Sequence, residues 1–116
     1  MKIIEGEAFQ KEFKKLQKKY KTLPADFDVL KDVLEDQPTG NSSKHWIILK
    51  QEGGKFIFKT RMMCRCLKGS SLRVIYYYDG KTIELVYLEI YFKGNKATED
   101  SKRIENFWHT KIATDQ

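Results

Sequence analysis

Apolar residues recur near the start of the chain at helical spacing: Phe9, Phe13, Leu16 and Tyr20 follow one another at steps of four, three and four. Lys11, Lys14, Lys15, Lys18, Lys19 and Lys21 surround that stripe, so the pattern predicts an amphipathic helix with a basic outer surface. TLPAD interrupts it. Thr22 is placed to cap, Pro24 suits a first helical turn, and Asp26 and Asp28 lie where a helix N-terminus favours negative charge. A second helix follows to about Glu35, with Phe27, Leu30, Val33 and Leu34 as its stripe, until the breaker-rich run Gln37-Pro38-Thr39-Gly40-Asn41-Ser42-Ser43. Two helices joined by so short a break form an antiparallel hairpin with one shared apolar side.

Beyond that run the period changes from helical to extended. HWIILK is a short apolar run, Glu52-Gly53-Gly54 a turn signal, KFIFKTRMMCRC a long strand with room for a bulge, and LKGSS a loop. Leu72 to Tyr78 and Thr82 to Tyr91 are rich in β-branched and aromatic residues, and Asp79-Gly80 suits a two-residue hairpin turn. That turn pairs Tyr76 with Ile83 and Val74 with Leu85, leaving Arg73, Ile75 and Tyr77 on the opposite face beside Glu84 and Val86. Glu99 to Lys111 returns to helical spacing through Ile104, Phe107, Trp108 and Ile112. The order predicts one α+β domain over residues 1–116: an N-terminal two-helix hairpin packed on one face of a four-stranded, mainly antiparallel sheet, then a short C-terminal helix.

The strands carry cations at chosen positions. Lys59, Arg61 and Arg65 share one parity in FIFKTRMMCRC, Arg73 stands inside LRVIYYY, and Lys93 and Lys96 close YLEIYFKGNK. Same-parity side chains in a strand project together, so several cations are expected on one rigid face. Arg73 then lies mid-sheet on the face expected to be bare of helices, where it either pairs with a carboxylate such as Glu84 or serves a ligand.

Charge and composition narrow the classes. The net charge of +6, from 22 Lys and Arg against 16 Asp and Glu, favours an acidic partner: nucleic acid, an anionic protein or a phospholipid head group. A chain of 116 residues buries about 65% of its unfolded surface, enough for one core. No uncharged run approaches the length of a membrane span and MKIIEGEAFQ lacks the features of a signal peptide, so no membrane association and a cytoplasmic location are expected. Cys64 and Cys66 are the two cysteines; at i and i+2 on a strand they point apart, which predicts reduced thiols, and without a His cluster or a second Cys pair no metal site and no cofactor are expected.

The basic helical hairpin, the Lys59-Thr60-Arg61 triplet on a strand, the segment GSSLRVIYYY, and EIYFKGNKATED before a basic helical tail together resemble the RelE/ParE toxin superfamily over nearly the whole chain. The resemblance implies a small α+β toxin of a type II toxin–antitoxin pair, neutralised by a cognate antitoxin protein. In the RelE branch it implies an endoribonuclease that cuts messenger RNA in the ribosomal A site.

Cleaving RNA without metal uses the 2′-hydroxyl as internal nucleophile; the protein must take its proton, stabilise charge on phosphorus and assist the leaving 5′-oxygen. By resemblance Arg73 takes the scissile phosphate, Lys59 is proton acceptor or phosphate ligand, and Arg61 stabilises the transition state. Arg65, Lys93, Lys96 and Tyr91 are the expected RNA contacts. After the last strand there is no Tyr and His109 comes late in the terminal helix, so Tyr91 and Tyr77 are alternatives for the acid. Each lysine also has a plain reading as a solvated cation, KKLQKKYK as the wet face of a helix. Two other functions stay open: a ParE-like inhibitor of DNA gyrase without cleavage chemistry, and a non-catalytic nucleic-acid-binding module.

Overall fold

The computed structural model describes residues 1–40, 43–68 and 71–114; Asn41 and Ser42 of the breaker run, and Gly69 and Ser70 of GSSLRVIYYY, lie outside the described residues. Five strands form one mixed sheet: β1 (Lys2–Glu5), β2 (Trp46–Glu52), β3 (Lys55–Met63), β4 (Ser71–Asp79) and β5 (Glu84–Phe92), in the order β1-β5-β4-β3-β2. The four predicted strands pair antiparallel in sequence order. The fifth, β1, corrects the expected four-stranded sheet: it runs parallel to β5, with Ile3 opposite Leu85 and Ile4 opposite Val86. Four residues are too few for a periodic signal, and their partner lies at the far end of the chain.

Helix α1 (Glu7–Lys19) and helix α2 (Leu23–Asp36) form the expected hairpin. Phe9, Leu23, Phe27, Leu30 and Leu34 pack on Phe58, Met62, Leu72, Tyr76, Leu85 and Tyr87 of the sheet. Thr22 precedes α2 as foreseen, but its hydroxyl does not cap the helix; it donates to Asp26 Oδ2 at 2.7 Å. Gly40 (φ +70°) lies flat against the Trp46 indole, where an added Cβ would meet the ring at 2.2 Å. Only glycine fits that contact, which seats the start of the breaker run against β2.

The terminal helix α3 (Ser101–Thr114) covers the opposite face of the sheet, where Ile104 and Trp108 pack with Ile57, Ile75, Tyr77, Val86 and Leu88. Helices on one face only was therefore the wrong arrangement. Ile57, Ile75, Tyr77 and Val86 are an apolar strip of the kind that water cannot cover cheaply, and α3 shields it. Around the β5 edge beyond β1, a bidentate pair joins the two helix layers: Arg103 donates to Glu12 at 3.1 and 2.9 Å and to the Leu88 carbonyl at 2.9 Å, while Glu12 accepts the Ile90 amide at 3.2 Å.

The β4–β5 register also differs from the two-residue turn. Asp79 pairs with Glu84, Tyr78 with Leu85 and Tyr77 with Val86. The Asp79 carboxylate accepts the amides of Lys81 and Thr82 at 2.9 and 3.3 Å, which holds a longer loop with Ile83 at φ +56°. A register shift after Ile75 then turns both Leu88 and Glu89 toward the α3 face. Among the described residues no helix is long and apolar enough to cross a membrane.

Candidate phosphate-binding face

Toward the N-terminus of α3 the sheet carries two rows of side chains that are polar apart from the buried Ile75. Arg61 of β3, Arg73 of β4 and Tyr91 of β5 are register partners across three strands, and the next row is Lys59, Ile75 and Glu89. Residues so paired carry their Cβ atoms about 5 Å apart. Arg61 and Arg73 therefore leave the sheet from adjacent positions on one face, a pairing set by the β3–β4 register. The face is bare only at this end, because α3 covers the other.

Charge compensation divides these cations into two kinds. Lys59 Nζ donates to Glu99 Oε1 at 2.8 Å, and Lys96 donates to Glu89, which is fully buried. Glu89 also accepts the Asp100 amide at 2.9 Å. Neither Arg61 nor Arg73 pairs with a carboxylate among the described residues; Arg73 Nη1 donates to Ser71 Oγ at 2.6 Å. The local partner considered for Arg73, Glu84, instead takes Lys111 at 2.8 Å at the other end of the face. Like charges held opposite each other on a sheet destabilise it by roughly 0.5 kcal/mol. Each charge-assisted hydrogen bond to an anion returns about 1.5–3 kcal/mol, so one phosphate between the two guanidinium groups more than offsets the repulsion.

The carboxylates could not be placed from sequence alone. Burial pushes the Glu99 carboxyl up, but the hydrogen bond and charge of Lys59, together with hydrogen bonds from the Glu99 amide and the Thr98 side chain, outweigh that and hold it below the usual carboxylate range. Glu99 thus presents an ionised oxygen beside the cation that was expected to accept a proton. Tyr91 is pushed up to about 12, first by burial and then by Glu99 and Glu89. It is 6% exposed with Lys96 over its ring and its hydroxyl hydrogen-bonded to Glu99, so it offers no surface for stacking a base.

Arg65 stands apart from the cluster. β3 ends at Met63, and a single 3-10 turn (Arg65–Leu67) carries Arg65 round to α2, where its Nε and amide reach Asp26 at 2.8 and 3.0 Å. Strand parity had placed it with Lys59 and Arg61; the turn breaks that parity. The same turn brings the sulfurs of Cys64 and Cys66 to 3.7 and 3.3 Å from Thr22 Oγ1, in place of the opposed strand positions expected for them. Lys93 is exposed in the turn after β5. Among the described residues no group of His, Cys, Asp and Glu has the makings of a metal site.

Asp26 gives the face's border a pH signature. Burial raises its carboxyl, but the Thr22 hydroxyl and the Arg65 amide and guanidinium together bring it below the ordinary value. A folded-state value below the unfolded one adds stability that is present above about pH 4 and is lost as pH falls through the lowered value. Asp26→Asn is expected to cost about 1 kcal/mol at pH 7, since the buried carboxylate's hydrogen bonds from Thr22 and the exposed Arg65 lose their charge assistance. In urea melts across pH 2–7, the gap between the two proteins should narrow below pH 4; a gap constant with pH would contradict this role.

Comparison with protein-family models gives no match, and no curated protein matches the chain. One solved structure does: the crystal structure of the archaeal RelE-RelB complex from Pyrococcus horikoshii OT3, at 22% identity over 80% of this chain and 94% of that one, with a TM-score of 0.58. The fold of this chain is thus RelE-like.

Proposed function

We propose that this protein is the toxin of a type II toxin–antitoxin pair and a metal-independent endoribonuclease that cuts messenger RNA in the ribosomal A site. The observation that carries the reading is the pair Arg61 and Arg73, held opposite each other on a RelE-like sheet with no carboxylate paired to either among the described residues. In the proposed reaction the 2′-oxygen attacks phosphorus, a cyclic 2′,3′-phosphate forms, and the bond to the 5′-oxygen breaks, the departing 5′-oxygen taking a proton from water. Arg73 holds the scissile phosphate and Arg61 meets the charge that grows on its oxygens. Glu99, ionised and fixed by Lys59, takes the 2′-hydroxyl proton, and Lys59 serves as a phosphate ligand. Lys93, Lys96 and the lysine face of α1 add sequence-independent contacts to RNA phosphates, which makes association salt-sensitive. Arg65 reaches RNA only by sharing its guanidinium with Asp26.

One observation favours a second reading. Tyr91 is buried with its ring under Lys96, so among the described residues of the two rows no exposed Tyr is placed to protonate the leaving 5′-oxygen. A gyrase inhibitor of the ParE kind would need no such chemistry. Expression of the protein alone distinguishes the two: the nuclease reading expects growth arrest with cuts within translated codons, mapped by primer extension. Arrest with intact messages and broken DNA would establish the alternative, and unimpeded growth would end both.

A further inference from the structure

Two thiols and a hydroxyl meet where the 3-10 turn after β3 abuts the start of α2, and the phosphate chemistry uses none of them. Both cysteines are free. Cys66 is exposed, whereas Cys64, two positions earlier, is 1% exposed and belongs to the core between the helical hairpin and the sheet. The Thr22 amide donates to Cys66 Sγ at 3.4 Å, and the Thr22 hydroxyl oxygen lies 3.3 Å from the same sulfur and accepts the Cys66 amide at 3.2 Å. Cys64 Sγ is 3.7 Å from that oxygen, so one side chain borders both sulfurs. Strand alternation would point the two thiols apart, but β3 ends at Met63 and the turn removes the alternation. Residues two apart in an extended chain are at most about 7 Å apart at Cα, and a turn between them shortens this into the roughly 4.4–6.8 Å that a disulfide spans.

From this cluster we infer that Cys66 is a modification site for peroxides, with Cys64 as the thiol that resolves the product into a Cys64–Cys66 disulfide. The Thr22 hydroxyl first, then the Thr22 and Lys21 amides, hold the Cys66 thiol below its ordinary value against burial and the Asp26 charge, which favours the thiolate that attacks. Its sulfur attacks one peroxide oxygen, the O–O bond breaks, and the hydroxide that leaves takes up the proton Cys66 gave to solvent, forming water. Cys66 then carries a sulfenic acid. Cys64, its own proton given to solvent, attacks that sulfur; the S–S bond forms, the S–O bond breaks, and the departing hydroxide regains the proton as a second water. The two sulfurs together give up two electrons and the peroxide takes them. Closing the bridge draws Cys64 from the core and Cys66 from Thr22, so the turn loosens from α2. The inference is independent of the toxin reading.

The test is to treat the full-length protein at neutral pH with a small excess of hydrogen peroxide, alkylate what thiol remains, and digest the denatured product with trypsin. Trypsin cuts after Arg61, Arg65 and Lys68, so the disulfide should appear as peptides 62–65 and 66–68 joined, and dithiothreitol should part them. Cys64→Ser should stop at a sulfenic acid on Cys66, trapped by dimedone, and Cys66→Ser should leave the buried Cys64 unoxidised. Thr22→Val should slow loss of the Cys66 thiol by about threefold or more, while Thr22→Ser, which keeps the hydroxyl, should react like the parent. Circular dichroism checks that each variant is folded. The oxidised parent should melt about 4 °C lower, and dithiothreitol should restore it. Both thiols still open to alkylation after treatment, oxidation confined to the exposed Met63, Cys66 driven to sulfinic acid without a bridge, or a bridge between two chains on a non-reducing gel would each overturn the inference.

Discussion

Arg73→Ala should lower the rate of message cleavage about 100- to 1,000-fold and release growth arrest, because it removes a positioned charge from the phosphate being cut. The same change should leave the melting temperature within about 2 °C of the parent. Arg73 is half-buried, hydrogen-bonds only to Ser71 among the described residues, and stands opposite another guanidinium, so its loss also relieves a repulsion. That separation of activity from stability is the signature of a ligand-binding cation rather than a structural one. Thermal melts beside plating and primer extension would measure both; an Arg73→Ala protein that arrests growth like its parent would remove Arg73 from the site.

The second large effect runs the other way. Phe9→Ala should cost about 3–5 kcal/mol. Phe9 is fully buried where α1, α2 and β5 meet, with ring centroids 6.0 Å from Phe13, 5.4 Å from Phe27 and 5.3 Å from Tyr87. Folded domains have only about 5–15 kcal/mol to lose, so the melting temperature should fall by roughly 10–20 °C and activity should fall with it through the unfolded fraction. A loss below about 1 kcal/mol in denaturant melts would mean that this junction repacks and does not set the position of the hairpin. Arg73→Ala and Phe9→Ala thus both silence the protein, one with the fold intact and one without it.

The local periodicities of the chain were legible. Phe9, Phe13, Leu16 and Tyr20 marked α1; Phe27, Leu30 and Leu34 marked the buried side of α2; and alternation along β3 and β4 put Lys59, Arg61 and Arg73 on one face. What failed was non-local. β1 is four residues paired in parallel with the distant β5. The hairpin register depended on the Asp79 side chain binding the amides of Lys81 and Thr82, which a two-residue template ignores. Arg65 was misplaced because strand parity was carried past Met63 into a 3-10 turn. The covering of the second face had a signal that went unused: Ile75 and Tyr77 alternate with Val74 and Tyr76, so β4 is apolar on both sides and needs a layer on each.

The carboxylates were the least readable part of the site. Glu89 and Glu99 both lie in plain view in EIYFKGNKATED, but their positions depend on the register shift after Ile75 and on the turn that leads into α3. Their presence converts a set of cations into one in which Arg61 and Arg73 alone await an anion from outside, among the described cations of the two rows.

That convergence is most directly tested by a double-mutant cycle on cleavage in a purified translation reaction, using Arg61→Ala, Arg73→Ala and the pair. If both guanidinium groups grip one phosphate, each single change should slow cutting by 100-fold or more, and the double should be far less damaging than the product of the two. Rates that multiply, or cleavage untouched by either change, would contradict a shared phosphate site.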